Sequence, residues 1–187
     1  MTRVRLLVLL AAVAAIAAGC GSSKKGSSKT GTNSASTPAQ TKTTPKAKPK
    51  PAVGNAPAVA NAKDLTHKPK IAKPTGSPPS SLIKKDLVVG HGPAIKPGQL
   101  ATVQYVGVSW STGQEFDASW NRGQPFQFPV GQQQVITGWD QGVPGMKVGG
   151  RRELVIPPDQ GYGPQGSPPA IAPNETLVFV VDLKRIG

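Results

Sequence analysis

Few side chains in this sequence could serve as nucleophiles, acid–base groups or metal ligands. The chain contains one cysteine, Cys20, and two histidines, His67 and His91. His91 lies in a Gly/Pro turn and His67 in a segment rich in lysine and proline, so they predict neither a metal site nor a Ser–His–Asp triad. Residues 149–150 are a Gly–Gly turn with no GK[ST] pattern after it, so no phosphate loop is expected. The sequence predicts no cofactor.

The second half of the chain offers aromatic rings instead. All nine aromatic residues lie between Tyr105 and Phe179. Rings gathered around a cleft make an apolar surface that excludes water. A single ring is more often core packing than pocket lining, and we assign Phe128, with Val103 and Leu154, to the core.

One pair of opposite charges stands among these rings. Asp117 follows Phe116 directly, and Arg122 lies five positions further on. Asp117 alone could be a plain turn or capping residue. With Arg122 nearby, we interpret the two as an ion pair at the edge of a pocket.

A very short helix is predicted in the middle of this half. Thr137 is a candidate N-cap, and Asp140 three residues later completes a pair resembling a capping box. Pro144 ends the helix after about two turns. Because so short a helix is marginal alone, Trp139 and Val143 must be buried against a larger element.

Strands are predicted on both sides of this helix from alternation with a period of two. They cover residues 82–89, 100–109, 115–117, 126–128, 151–156 and 177–186. Residues 157–176 form a long Gly/Pro-rich loop of the kind that is often functional. The predicted class is α+β, with an antiparallel sheet around one short helix, in a domain of residues 81–187.

The N-terminus resembles a bacterial lipoprotein signal. Arg3 and Arg5 precede an apolar stretch at residues 6–18, which is shorter than the roughly 20 residues that span a bilayer. Residues 17–20 read Ala-Ala-Gly-Cys, which predicts cleavage after residue 19 and lipidation of Cys20. Ala17 replaces the usual leucine, so an ordinary secretory signal and an uncleaved anchor stay open as alternatives. Several acyl chains on Cys20 would hold the protein on a membrane in the cell envelope.

Residues 20–80 are predicted to form a disordered tether. Residues 21–80 hold eleven lysines, one acidic residue and nine prolines, and no aromatic residue. Such a segment buries too little apolar surface to offset its ordering entropy. We read it as a solvated linker, with binding to anionic lipid or wall polymers and Pro-rich recognition as the alternatives. Residues 81–187 are nearly balanced in charge, which argues against a nucleic-acid-binding domain.

At this point the order of residues resembles the FKBP-type peptidyl-prolyl cis-trans isomerases, the macrolide-binding class. Eight spaced motifs carry the resemblance over residues 81–187: VQYVG at 103–107, GQEFDAS at 113–119, PF at 125–126, VITGW at 135–139, GMKVGG at 145–150, IPP at 156–158, YG at 162–163 and LVF at 177–179. The resemblance implies a curved antiparallel sheet wrapped around one short helix.

The resemblance also implies a pocket, position by position. The residues that it implies are Trp139 as the floor, Tyr105, Phe116, Phe126, Val135, Ile136, Tyr162 and Phe179 as the walls, Asp117 and Arg122 beside it, and Ile171 in the loop over it. The Tyr162 hydroxyl and the Ile136 N–H are its implied carbonyl-holding donors. Ser167 and Gln134 depart from the histidine and glutamate of the best-known members, which affects substrate preference.

From this we expect a monomeric prolyl isomerase that acts on proline-containing segments of exported proteins. Tacrolimus and rapamycin are macrolides that the resemblance implies as ligands. The rival hypotheses are an FKBP-fold module that binds proline peptides with little turnover, and a wall-binding lipoprotein that works through its Lys-rich tail.

Overall fold

The computed structural model describes residues 55–187. The predicted signal peptide, Cys20 and the tether up to residue 54 lie outside the described residues. Within residues 55–187, no helix is long and apolar enough to cross a membrane.

Eight strands, two α-helices and two short 3-10 helices make up this part of the chain. In order they are β1 (Val59–Ala60), β2 (Lys70–Ile71), β3 (Ile83–Val88), β4 (Leu100–Ser109), β5 (Glu115–Ala118), α1 (Ser119–Arg122), β6 (Phe126–Pro129), α2 (Thr137–Gly142), β7 (Arg151–Ile156), the 3-10 turns Pro158–Gln160 and Gly163–Gln165, and β8 (Leu177–Ile186). The predicted bounds of β4, β7 and β8 are confirmed.

An antiparallel six-stranded sheet forms the body of the domain. Its strand order is β3-β7-β8-β4-β5, and β6 pairs with the other half of the same edge of β4. The register shifts within the β3–β7, β4–β5 and β4–β8 pairs. Such irregularities bend the strands and increase the twist, which allows a sheet to curve around a small element.

The inner face of the sheet packs against α2. Alternate residues of β8, from Leu177 to Leu183, share this core with Leu154 and Ile156 of β7, as the period of two predicts. Gly138 and Gly142 bring the helix onto β7, because a Cβ at Gly138 would lie 2.4 Å from the Ile156 side chain. The predicted fold class, an antiparallel sheet around one short helix, is confirmed; α1, a single turn, was not predicted.

The capping prediction for α2 is wrong. Ile136 occupies the N-cap position, and no side chain caps the helix. The Asp140 carboxylate instead accepts hydrogen bonds from the N–H groups of Gly131 and Gln133, each at 2.8 Å. The loop before the helix has two N–H groups that need acceptors, and they bind the carboxylate that a capping box would use.

The outer face of the sheet is covered by residues 55–80, which we call the strap. Ile71 is 7% exposed and packs with Val155, Val178 and Val180 in a second apolar cluster. Strands β1 and β2 pair with each other within the strap. The predicted domain start at residue 81 and the predicted tether are therefore wrong for residues 55–80. A few apolar residues suffice there, because the sheet supplies the rest of the buried surface.

A buried ion pair fastens the strap to the sheet. The Arg151 guanidinium is paired with the Asp182 carboxylate at 2.5 and 2.7 Å, and both side chains are at most 2% exposed. The same guanidinium donates to the backbone carbonyls of Asn61 and His67 in the strap. Each of its three nitrogens thus donates to the carboxylate or to the strap, which makes the burial of the charge tolerable.

Glu153 is a second buried charge on this face, and it predicts a pH-dependent stability. Its carboxylate is fully buried and accepts no hydrogen bond from residues 55–187, and Lys85 Nζ lies 3.5 Å away. Burial raises the pKa of Glu153 from 4.5 to about 7, against the opposing attraction of Lys85. Since the folded-state pKa is the higher one, the contribution of Glu153 to stability is fully present below pH 4.5 and is lost as the pH rises through about 7.

We expect Glu153→Gln to remove most of this pH dependence. A shift of this size corresponds to at most about 3 kcal/mol of unfolding free energy lost between pH 4.5 and 8. Urea unfolding at pH 4, 6 and 8 measures this loss, and the variant should be more stable than the wild type only at the higher pH values. Equal slopes for both proteins would contradict the assignment.

Candidate active site

A cavity of about 200 Å³ opens between α2 and the curved sheet. Ten residues line it: Tyr105, Phe116, Asp117, Phe126, Gln134, Val135, Ile136, Trp139, Tyr162 and Phe179. Six of these side chains are Phe, Tyr or Trp on five different elements and a loop, so the site is formed only when the sheet closes around the helix. Its size fits one small ring or a short side chain.

Trp139 forms the floor of the cavity. The indole is 4% exposed and makes edge-on contacts with the rings of Tyr105, Phe128 and Phe179 at centroid distances of 5.1 to 5.3 Å. Contacts of this geometry hold aromatic rings in place beyond simple area burial. Because α2 lies close against β7, its first turn positions the indole under the opening. The indole N–H finds no partner among residues 55–187.

One wall depends on a missing side chain at Gly107. A Cβ at this position would lie 2.7 Å from the rings of Phe116 and Phe179. These two rings meet edge to face with centroids 5.5 Å apart. Gly107 of β4 therefore lets the two phenylalanines pack over the strand, and any larger residue would push one of them into the cavity.

Asp117 organises the polar edge of the site. Its carboxylate accepts hydrogen bonds from the Tyr105 hydroxyl and from the Arg122 guanidinium, which also donates to the Tyr105 oxygen at 2.8 Å. Burial and the bond to Asp117 raise the pKa of Tyr105 to about 12. The hydrogen bond that Arg122 donates to the Tyr105 oxygen is the largest cause that raises the pKa of Arg122. The phenol therefore stays protonated, and the predicted Asp117–Arg122 ion pair is present.

Residues 134–136 form another wall of the cavity, and Asp140 fixes the loop that precedes them. By accepting hydrogen bonds from Gly131 and Gln133, the carboxylate ties this loop to α2. Gln133 has a positive φ of 57°, which turns the chain directly before the three lining residues 134–136. Asp140 thus fixes the loop that carries Gln134 relative to the floor.

Two donors at the cavity are unoccupied by other protein groups. The Tyr162 hydroxyl, on a side chain that is 41% exposed, makes no hydrogen bond to the described residues, and neither does the N–H of Ile136. Burial, and to a smaller extent the charge of Asp117, raises the pKa of Tyr162. Both groups are therefore available to donate to a ligand carbonyl.

Three residues predicted for the site lie outside the cavity lining. Arg122 stands behind Asp117 and contacts the ring of Tyr105, 5.6 Å from its centroid. Ile171 is buried in the inner core, and Ser167 is exposed in the loop, where its backbone bridges that of Ile171. The other predicted pocket residues line the cavity.

The sequence analysis missed two groups that support the site. Ser119 is fully buried, and its hydroxyl accepts a 2.8 Å hydrogen bond from the N–H of Tyr105. Asp140 was assigned to a helix cap. The only available signal was the position of Ser119 two residues after Asp117 in a motif, because both roles depend on contacts between segments distant in sequence.

Fold and cavity together define a binding site for a small apolar group with free hydrogen-bond donors at its edge. Residues 92–184 match the family model described as FKBP-type peptidyl-prolyl cis-trans isomerase. An FK506-binding protein of Streptomyces anulatus is 59% identical over 120 residues, which are 64% of this chain and 97% of that protein. The chain therefore belongs to the FKBP-type peptidyl-prolyl isomerase family, and it is a peptidyl-prolyl cis-trans isomerase.

Two further comparisons agree with this membership. A probable FK506-binding protein of Corynebacterium glutamicum is 51% identical over 116 residues, covering 62% of this chain and 96% of that protein. The crystal structure of AtFKBP13 superposes with a TM-score of 0.54 at 40% identity, over 58% of this chain and 95% of that one. Members of this family bind proline-containing peptides and macrolides.

Proposed function

We propose that this protein is a lipid-anchored prolyl isomerase of the cell envelope, which assists the folding of exported proteins. The sequence of residues 1–20 supports export and anchoring, through the basic start, the apolar stretch and the Ala-Ala-Gly-Cys segment. The observation that carries the catalytic part is the aromatic cavity with two free donors at its edge.

The chemistry requires no covalent step. Rotation about an X–Pro bond breaks amide resonance and faces a barrier of about 18–20 kcal/mol. The twisted transition state has a less polarised carbonyl than the planar ground state. A dry cavity lined by rings therefore favours the twisted state relative to water. An acceleration of roughly 10⁵-fold needs about 7 kcal/mol of such differential stabilisation.

Each part of the site has a distinct role in this proposal. The proline ring lies on Trp139, between the phenylalanine walls. The Ile136 N–H and the Tyr162 hydroxyl donate to the carbonyls that flank the rotating bond. Asp117 holds Tyr105 and Arg122 at the edge, so that the wall keeps its shape while the peptide turns.

The cavity is also the proposed site for macrolides such as tacrolimus and rapamycin. Relatives named for binding FK506 support this, together with the exposed rings of Phe126 and Tyr162 at the opening. We propose that the protein acts as a monomer. Gln134 and Ser167 are the positions at which preference among substrates and macrolides would differ from other members.

A protease-coupled proline-isomerisation assay on the full chain tests the catalytic part. The double variant Tyr162→Phe/Asp117→Ala is the reference for a disabled site, and tacrolimus is the competitor. Faster turnover by the wild type, suppressed by tacrolimus, supports the proposal. Tight peptide binding with turnover no faster than the reference would instead favour a binding module.

Cys20→Ser tests the anchoring part. We expect the wild type to fractionate with membranes and the variant to be recovered in the soluble exported fraction, because a thioether-linked lipid requires the cysteine sulfur. Fractionation and the mass of the N-terminal peptide measure this. Wild-type protein that carries no lipid mass would contradict the anchoring proposal and leave the isomerase assay unaffected.

A further inference from the structure

The strap reaches Glu115 and Asn121, beside one wall of the pocket, through the side chain of Lys68. Its ammonium donates to Glu115 Oε1 at 2.8 Å and lies 2.7 Å from Oε2, and it donates to Asn121 Oδ1 at 2.7 Å. The Asn121 amide donates in turn to Glu115 Oε1 at 2.7 Å. Lys68 lies outside the family-matched residues 92–184, so this three-residue contact, which we call the strap lock, adds a group from outside that region.

The strap lock spans the part of the chain that carries the polar edge of the site. Glu115 begins β5 and Asn121 lies in α1, and between or beside them are Phe116, Asp117 and Arg122. The lock therefore joins the start of the strand to the helix that follows it, across the residues that line the cavity and pair with Tyr105.

This corner of the wall is made of short elements, which are also held by the buried Ser119 and by Ala118 and Trp120 in the outer apolar cluster. In the part of the chain that the structure describes, β5 pairs only with β4, through three residue pairs with a register shift. Helix α1 is one turn long and has no side-chain N-cap. A single turn is unstable by itself, so contacts from elsewhere must hold it.

We propose that Lys68 is a positioning residue for the isomerase site. It acts through Glu115 and Asn121, holding β5 and α1 so that Asp117 keeps its bonds to Tyr105 and Arg122. The inference rests on the role proposed for Asp117 and is independent of export and lipidation.

The energetics separate this role from a general stabilising one. The Lys68 and Glu115 side chains are 35% and 31% exposed, and ion pairs this accessible contribute little to global stability. Small displacements of positioning groups have much larger effects on rate than on stability. Loss of the lock should therefore lower turnover with little change in the melting temperature.

The test compares Lys68→Met with Lys70→Met in the full chain. Lys70 is exposed on the same strap, and its side chain makes no hydrogen bond or ion pair with residues 55–187. We expect Lys68→Met to lower kcat/KM by about three- to tenfold, Lys70→Met to leave it unchanged, and Lys68→Arg to restore most of the loss. In an Asp117→Asn background, Lys68→Met should have no further effect.

Each alternative result overturns the inference. An unchanged kcat/KM in Lys68→Met, an equal loss in Lys70→Met, or an undiminished effect in the Asp117→Asn background would each show that the lock does not act on the pocket. Wild-type protein without isomerase activity would contradict the proposed function instead, so the two failures are distinguishable.

Discussion

Asp182→Ala is expected to destabilise the domain by about 3–5 kcal/mol. The substitution leaves the Arg151 guanidinium fully buried and without its carboxylate partner, and the strap carbonyls of Asn61 and His67 cannot neutralise the charge. The strap should loosen as well, since its contact with the sheet runs through the same guanidinium. Urea unfolding measures the loss of free energy, and limited proteolysis measures the exposure of residues 55–80.

The matched control is the double variant Arg151→Met/Asp182→Leu. Replacing a buried ion pair by apolar residues of similar volume is often neutral or stabilising, so the double variant should regain most of the lost free energy. Its strap should nevertheless be cleaved faster than in the wild type, because two hydrogen bonds to the strap are gone. A loss below about 1 kcal/mol in Asp182→Ala would mean that water reaches the guanidinium.

Asp117→Asn is expected to lower kcat/KM by roughly 10- to 100-fold, which is about 1.4 to 2.7 kcal/mol of transition-state stabilisation. The amide keeps the shape of the side chain but removes the charge that holds Arg122 against the Tyr105 hydroxyl. The wall at the polar edge then loses its fixed position. The protease-coupled assay measures the change.

The control for Asp117→Asn is Asp159→Asn. Asp159 is exposed, lies outside the cavity lining and should give wild-type turnover. Thermal unfolding of both variants shows whether the fold is intact. Full activity in Asp117→Asn would mean that rings alone, without the polar edge, account for turnover.

The sheet could be predicted from the sequence because its strands are regular. Strands β4, β7 and β8 place alternate side chains on the inner and outer faces of the sheet, both of which are largely buried, and Pro157 marks the end of β7. Helix α2 was predictable from Trp139 and Pro144. Its N-cap was not predictable, because Asp140 accepts hydrogen bonds from the N–H groups of Gly131 and Gln133, and no local sequence pattern indicates those contacts.

The strap could not be predicted, for a physical reason. Its composition is that of a tether, and its burial depends on Ile71 and on two backbone carbonyls that any residue would supply. Composition measures what a segment can bury by itself, and here the other half of the buried surface belongs to the sheet. An activity assay on residues 81–187 would therefore use a protein without its outer cover.

The pocket was predictable from spaced motifs, and its supports were not. Most of the residues that line it sit within short motifs of aromatic and aliphatic residues. Arg122, Ser167 and Ile171 lie outside the cavity lining: Arg122 pairs with Asp117, Ile171 is buried in the core and Ser167 is exposed in the loop. The strap lock joins Lys68 to Glu115, 47 positions apart, and no local pattern indicates that contact.

Arg151 contacts the strap through the backbone carbonyls of the strap, so this attachment does not depend on the strap's side chains. Since the acceptors at positions 61 and 67 are backbone oxygens, substitutions there leave the attachment intact. The sequence of the strap can therefore diverge while positions 151 and 182 stay constrained. In distant homologues, an arginine and an aspartate on the paired strands would indicate that a strap covers the sheet, even where the strap sequences share no residues.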